Sequence, residues 1–244
     1  MMNEYQVMET RLVELLHLSR CPVGVKFLDS KNTNNYKDLL ESSKRVRYCQ
    51  ALMLAGKGER IVLSKDKIAC PAASAAFGFA PLTEALESGK MLHTLGLFES
   101  IESSRELMAK MPRLVAGAYD AVLLSPLGCM VEDPDIVVLE SQPEHLMWVA
   151  LASIYTTGER MKFSTGVFQA TCVDATVVPF RDHKLNASLG CYGCRDSTDI
   201  GKDEVLVGFP YCSTIPIIRA LEQLSTKPMK RVREKTALKH LNKC

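Results

Sequence analysis

Ala121-Val122-Leu123-Leu124-Ser125 and Ile136-Val137-Val138-Leu139 are the two runs on which the fold class turns. Each is too short for a helix, apolar throughout and bounded by turn residues, which is the pattern of a strand buried on both faces. The intervening Pro126-Leu127-Gly128-Cys129-Met130-Val131-Glu132-Asp133-Pro134 holds too many turn residues for regular structure and is a candidate wall of a site. Outward from this pair, Val23, Val25 and Phe27 alternate with Gly24 and Lys26 at the period of a half-buried strand. Arg60 to Ser64 and Glu204 to Phe209 read as further strands, and an Asn-rich loop covers Asn32 to Asn35.

Helical patterns alternate with these strands. Tyr5, Met8, Leu12, Leu15 and Leu16 share one face of a helix from Glu4 to Ser19, which Cys21-Pro22 ends. Further helices are expected at Tyr48 to Gly56, at Cys70 to Phe79, over 82–111 with breaks near Gly89 and Gly96, at Ile215 to Leu224 and at Met229 to Leu241. Ser141-Gln142-Pro143-Glu144 has the form of a capping box opening a helix that runs to Gly158, whereas Phe168 to Val178 fits helix or strand. The alternation predicts an α/β (or α+β) fold: a single compact domain over residues 1–226, its mixed sheet covered by helices, with a basic C-terminal helical extension at 227–244.

With 47% apolar and 24% charged residues, the 244-residue chain can bury a large core without disulfides, and it is neither disordered nor collagen-like. Glu4, Glu9, Arg11 and Glu14 interrupt the first twenty residues, so no signal peptide is expected. The stretch Ala121 to Val131 falls well short of a membrane span, and a cytoplasmic location without membrane contact is the expectation. A net charge of +2 hides a polarity: Lys227, Lys230, Arg231, Arg233, Lys235, Lys239 and Lys243 stand against Glu234 alone, leaving the tail at +6 and the body at −4. Such a tail is a solvated helix, or an arm for nucleic acid, an acidic protein or the chain's own body, and binding to a partner would show as steep salt dependence.

Nine cysteines, an odd number, stand at 21, 49, 70, 129, 172, 191, 194, 212 and 244. In a reducing compartment they are core, ligand or reactive groups rather than a disulfide framework. The sharpest local signal is Ser188-Leu189-Gly190-Cys191-Tyr192-Gly193-Cys194-Arg195, in which two glycines allow close backbone approach and positive φ around a C-x-x-C turn. A zinc site asks for a second such pair or a paired His motif, and neither occurs, so zinc stands as the alternative. A thioredoxin-like role asks for a long helix after the motif, but Asp196 to Asp203 is polar. An iron-sulfur cluster needs four thiolates, which distant segments can supply: Cys49 and Cys70 lie near helix starts, where free N-H groups favour thiolate, and Cys172 lies among small and polar neighbours. Taken singly, each cysteine reads better as a small buried apolar residue than as a ligand.

The chain resembles the DUF169 family, a group of prokaryotic proteins defined without a known function. The resemblance is carried by Arg47-Tyr48-Cys49-Gln50-Ala51, by Cys70-Pro71-Ala72-Ala73 with Gly78 downstream, and by Asp133-Pro134-Asp135-Ile136-Val137-Val138. Pro143-Glu144-His145-Leu146-Met147, Leu189 to Arg195 and Gly208-Phe209-Pro210 complete it. It implies an α/β domain with cysteines matching Cys49, Cys70, Cys172 and Cys191, sufficient for one 4Fe-4S cubane. Cys194 is then a fifth candidate ligand, a redox neighbour or a bystander; Cys21, Cys129, Cys212 and Cys244 are core or surface thiols.

Arg195 is a candidate to hold an anionic ligand or to tune a cluster by its charge, with a surface ion pair as the plainer alternative. Asp133 and Asp135 are expected to shape the turn around Pro134 rather than move a proton. His145 reads as a helix-surface residue and Trp148 as core. No phosphate loop, dinucleotide fingerprint, nucleophile elbow or metalloprotease helix is present. The function expected is iron-sulfur binding with a redox or small-molecule-activating role, an oxidoreductase if an enzyme. Its partner would be a small molecule or a redox protein, and a homo-oligomer is compatible. The alternatives are a zinc-thiolate protein and a non-catalytic module using the basic tail.

Overall fold

The computed structural model describes residues 2–241, so Cys244 and Lys243 lie outside the described residues. Six strands form one sheet: β1 (Val23–Leu28), β2 (Ile61–Ser64), β3 (Ala121–Pro126), β4 (Ile136–Ser141), β5 (Asn186–Ser188) and β6 (Val205–Pro210), in the order β2-β3-β1-β4-β6-β5. The α/β class and the single compact domain hold, but strand direction is more uniform than the expected mixture. Every pairing between these strands is antiparallel. The reason is the place of β1. It pairs with both β3 and β4, Val23 facing Pro126 on one side and Val138 on the other, so two strands that run the same way are kept from being neighbours. A lone parallel bridge, Val46 to Ile68, lies outside the strands.

Helices cover both faces, which is why β3 is buried along its whole length and why β1 leaves only Lys26 partly exposed instead of alternating. On one face, Met8, Leu12 and Leu16 of the Glu4–Leu16 helix join Trp148 and Val149 of the Pro143–Ser153 helix and Leu221 of the Thr214–Thr226 helix over Leu123, Val137, Val207 and Phe209. On the other, the Tyr48–Gly56 and Pro71–Ala76 helices and the segment Ala170–Val177 pack over Val25, Phe27, Leu63, Val122 and Val138. Phe77 anchors this second layer edge-on to Phe27 and Tyr48, with ring centroids 5.3 and 4.8 Å apart. Burying each such ring contributes about 2–3 kcal/mol, and the edge-on geometry adds about 1 kcal/mol.

Local differences from the sequence reading have local causes. The first helix stops at Leu16 because His17 turns left-handed, φ 54°. The Asn-rich segment coils into two short helical turns, Ser30–Thr33 capped by Asp29 and Asn34–Tyr36. Ser141 does not cap the helix that begins at Pro143; Gln142 holds that position, and the Ser141 hydroxyl meets His145 Nδ1 at 2.8 Å. That helix ends at Ser153, short of Gly158. Ala170–Val177 is neither an α-helix nor a strand but a π-helix. The basic tail continues as two short helices, Pro228–Arg233 and Thr236–Leu241. Met229 is buried against the body, and Arg233 donates to the Leu15 carbonyl at 3.1 Å. Among the described residues no helix is long and apolar enough to cross a membrane.

Candidate functional site

Five cysteines from four segments lie in the core layer that holds the π-helix. Cys172, Cys191 and Cys194 are buried within it, and Cys49 and Cys70 pack against it half-buried. Each sits at an irregular or terminal backbone position. Cys49 is in the first turn of the Tyr48–Gly56 helix, Cys70 immediately precedes the Pro71–Ala76 helix, and Cys172 is in the π-helix. Cys191 caps the short helix Tyr192–Ser197, its sulfur accepting from the Cys194 amide at 3.4 Å. The Cys191 and Cys194 sulfurs are 3.1 Å apart, and Thr171 Oγ1 stands 2.8 Å from Cys194 Sγ. Cys49 lies near enough to Cys194, and Cys70, Cys194 and Cys191 near enough to Cys172, for each to act on its neighbour's protonation.

Crowding of this kind keeps the three buried thiols, Cys172, Cys191 and Cys194, protonated. Burial lifts Cys172 well above the ordinary thiol range, and the neighbouring cysteines add to the effect. The hydrogen bond with Cys194, together with burial, pushes Cys191 up strongly. For Cys194, the bond with Cys191 acts downward, but the contact with Cys49 and burial prevail and leave it at about 11. These are not the depressed thiols of a nucleophile or a disulfide oxidoreductase. They are soft donors that would shed protons to a metal, since a thiolate binds where a thiol does not. Among the described residues, no three His, Cys, Asp or Glu side chains converge tightly enough to hold one metal ion.

The family model that matches this chain is DUF169, described as uncharacterised ArCR, over residues 11–219. The chain belongs to the DUF169 family. An uncharacterized protein of Methanocaldococcus jannaschii, MJ0308, is similar to it at 28% identity over 224 residues, covering 90% of this chain and 94% of that protein. No solved structure matches.

Several of the residues through which the chain resembles DUF169 brace the thiols. In Arg47-Tyr48-Cys49-Gln50, Arg47 donates to Ser197 Oγ at 2.6 Å and Gln50 to the Ser197 carbonyl at 3.1 Å, tying the Cys49 helix to the end of the Cys191–Cys194 turn. Tyr48 is fully buried, and its hydroxyl meets Thr176 Oγ1 at 2.9 Å on the π-helix. Gly190 takes φ 88° against the Arg195 guanidinium, as the sequence suggests, but Gly193 is an ordinary helical residue with open space where a Cβ would go. Gly208 matters most: a Cβ there would stand 1.8 Å from the Ala175 carbonyl oxygen, so only glycine lets β6 meet the π-helix this closely.

Arg195, expected to hold an anionic ligand, is committed elsewhere. It donates to the carbonyls of Gly201 at 2.8 Å, Leu189 at 2.7 Å and Glu204 at 2.9 Å. Both hydrogens of one terminal nitrogen are used, so neither fork of the guanidinium is available for a bidentate grip on a carboxylate or phosphate. Its observed work is to close the loop that carries the C-x-x-C turn.

Asp174 was not foreseen from the sequence. It is buried two residues past Cys172, accepts from Thr165 Oγ1 at 2.6 Å and Ser188 Oγ at 2.8 Å, and burial raises it to about 6 against the pull of those bonds. The loop 126–134 is not a wall of this site. It packs under the first helix on the opposite face, with Gly128 N donating to Glu9 at 2.9 Å. Asp133 accepts from Tyr5 there and Asp135 from the Phe27 amide, both structural roles. Cys21 lies beside Cys129, away from the five, and Cys129 and Cys212 are exposed.

Proposed function

We propose that this DUF169 chain binds a single iron-sulfur cluster, a 4Fe-4S cubane, through Cys49, Cys70, Cys172 and Cys191, and serves a redox or small-molecule-activating role in the reducing cytoplasm. One observation carries the reading: thiols far apart in sequence share one core layer, Cys172, Cys191 and Cys194 buried in it and Cys49 and Cys70 packed against it. The donor set fits in chemistry and in number, since a cubane takes four soft thiolates and Cys194 makes a fifth. A tetrahedral zinc ion draws four sulfurs to one point about 2.3 Å away, whereas each thiolate of a cubane meets its own iron.

When bound, such a cluster supplies one-electron chemistry. The chain's own residues exclude bulk water by burying Cys172, Cys191 and Cys194, and they aim polar groups at sulfur: the Cys194 amide at Cys191 and the Thr171 hydroxyl at Cys194. Bonds of this kind favour the anionic, reduced form of a thiolate site.

Purification without oxygen, followed by iron, acid-labile sulfide and visible absorption measurements, tests the reading. About four iron and four sulfide per chain are expected, with a brown colour that zinc-thiolate protein lacks. Cys191→Ser should lower the content sharply, and Cys212→Ser, at an exposed position, should leave it unchanged. A colourless, folded protein that takes up no iron and sulfide on reconstitution removes the proposal.

A further inference from the structure

We propose that a groove on the sheet face opposite the thiols binds a nucleoside polyphosphate, through its phosphates on a basic rim and its base on an aromatic and apolar floor. The groove has a volume of about 960 Å³ and lies between the end of the Pro143–Ser153 helix, residues 154–162, residues 183–185 and the Thr214–Thr226 helix. That is the upper end of the range of about 300–1,000 Å³ found for small-molecule sites. Its floor is built from Leu185, Ile217 and Ala220 of the core layer under the first helix, so the thiols lie on the other side of the sheet.

Charge selects the ligand. Arg160, Lys162, Lys184 and Arg219 all line the groove and are all exposed. Among the described residues none of the four is in an ion pair. The acids in the lining are Glu159 and Glu222, and Glu222 is taken by Arg11 at 2.6 Å. Four cations around a low-dielectric floor focus a positive potential, which costs stability until an anion enters and makes a concentrating trap for one.

Shape narrows the class. A single phosphate engages one or two cations, so four around a hollow of this size call for several anionic oxygens along an extended group. Tyr155 lines the same groove with its ring half-exposed, a stacking surface, and Thr156, Thr157 and Gln223 add polar groups for a sugar or base edge. Phosphates, hydroxyls and a flat ring within one molecule describe a nucleoside di- or triphosphate. The sequence carries no phosphate loop or dinucleotide fingerprint, so the phosphates here would be held by side chains rather than by a glycine-rich backbone cradle.

Equilibrium titration of the full chain with ADP, beside inorganic pyrophosphate, tests this. One ADP per chain is expected, weakening as salt rises. The double variant R160A/R219A, changed at two exposed positions, should bind ADP about tenfold or more weakly at an unaltered melting temperature. Tyr155→Ala should weaken ADP and leave pyrophosphate unchanged. Binding to Cys191→Ser should match the parent, which separates this site from the thiol reading. Absence of ADP binding, ADP binding that ignores R160A/R219A, or pyrophosphate binding as tight as ADP would each overturn the proposal.

Discussion

Replacing Glu140 by Gln should make the protein more stable above pH 7 relative to the parent, and progressively less so toward pH 5. Glu140 points from β4 into a nearly closed space, its side chain only 9% exposed, and its Oε1 is buried with no hydrogen-bond partner among the described residues. The nearest cation, Arg20, is 3.9 Å away and is engaged by Asp199 at 2.8 Å and Glu204 at 3.4 Å. Burial therefore dominates, Arg20 only partly offsets it, and the carboxyl rises from 4.5 to about 7. An acid whose folded pKa lies above its unfolded one binds its proton more firmly in the native state. Its favourable contribution is complete below pH 4.5 and is lost as the pH climbs through 7. At about 1.4 kcal/mol per pKa unit, the parent loses roughly 2.5 kcal/mol of this contribution between pH 5 and 8, and a non-titrating Gln loses none. Urea unfolding of both proteins at pH 5, 6, 7 and 8 reads the effect as the difference in unfolding free energy. Other titrating groups, Asp174 among them, are common to both proteins and cancel. A difference that stays flat with pH, or a variant less stable than the parent at pH 8, would mean that Glu140 is ionised and usefully paired with Arg20, and the reasoning would fail.

Gly208→Ala should cost about 3 kcal/mol or more in urea unfolding, because the new Cβ would overlap the Ala175 carbonyl in a place where neither β6 nor the π-helix can retreat; a loss below 1 kcal/mol, on the order of an ordinary strand substitution, would show that the contact is soft. Arg195→Ala removes three donors from backbone carbonyls and should cost about 2 kcal/mol, opening residues 189–204 to limited proteolysis. Arg195→Lys should fail to rescue it, since one ammonium cannot reach three divergent acceptors. Met229→Ala should free the tail, with a local loss of about 2 kcal/mol or more, seen as cleavage within 228–241 while the body stays intact; an equally resistant tail would mean that the Arg233 contacts suffice.

Much of the architecture was legible because the features that specify it are runs. Val122 to Leu124 and Val137 to Leu139 are apolar on both faces, and the sheet is covered on both faces. The glycine end and apolar spacing of Tyr48 to Gly56 mark that helix to the residue. Strand direction was not legible, because the pairing of β1 with β3 and β4 is a long-range choice that local periodicity does not record. The π-helix leaves no local signal for a related reason. It depends on left-handed backbone at Gln169, φ 54°, and on bonds that skip five residues, such as Asp174 N to the Gln169 carbonyl at 3.3 Å, and no residue type advertises either.

The candidate site divides along the same line, between what side-chain identity can announce and what only geometry can. A cysteine framed by glycine signals a special turn, and resemblance to a family adds partners from elsewhere in the chain, but that Cys49, Cys70, Cys172 and Cys191 share one layer follows from how the Tyr48 helix and the π-helix dock on the same sheet face. Arg195 shows the limit from the other side. An arginine after a C-x-x-C motif invites an anionic ligand, yet the groups that claim it are the carbonyls of Leu189, Gly201 and Glu204, which any residue would present. The same holds for the Ser197 carbonyl, which receives Gln50. Backbone acceptors carry no sequence signature, so a cation's role cannot be read from its neighbours in the chain, only from which carbonyls the fold brings within 3 Å of it.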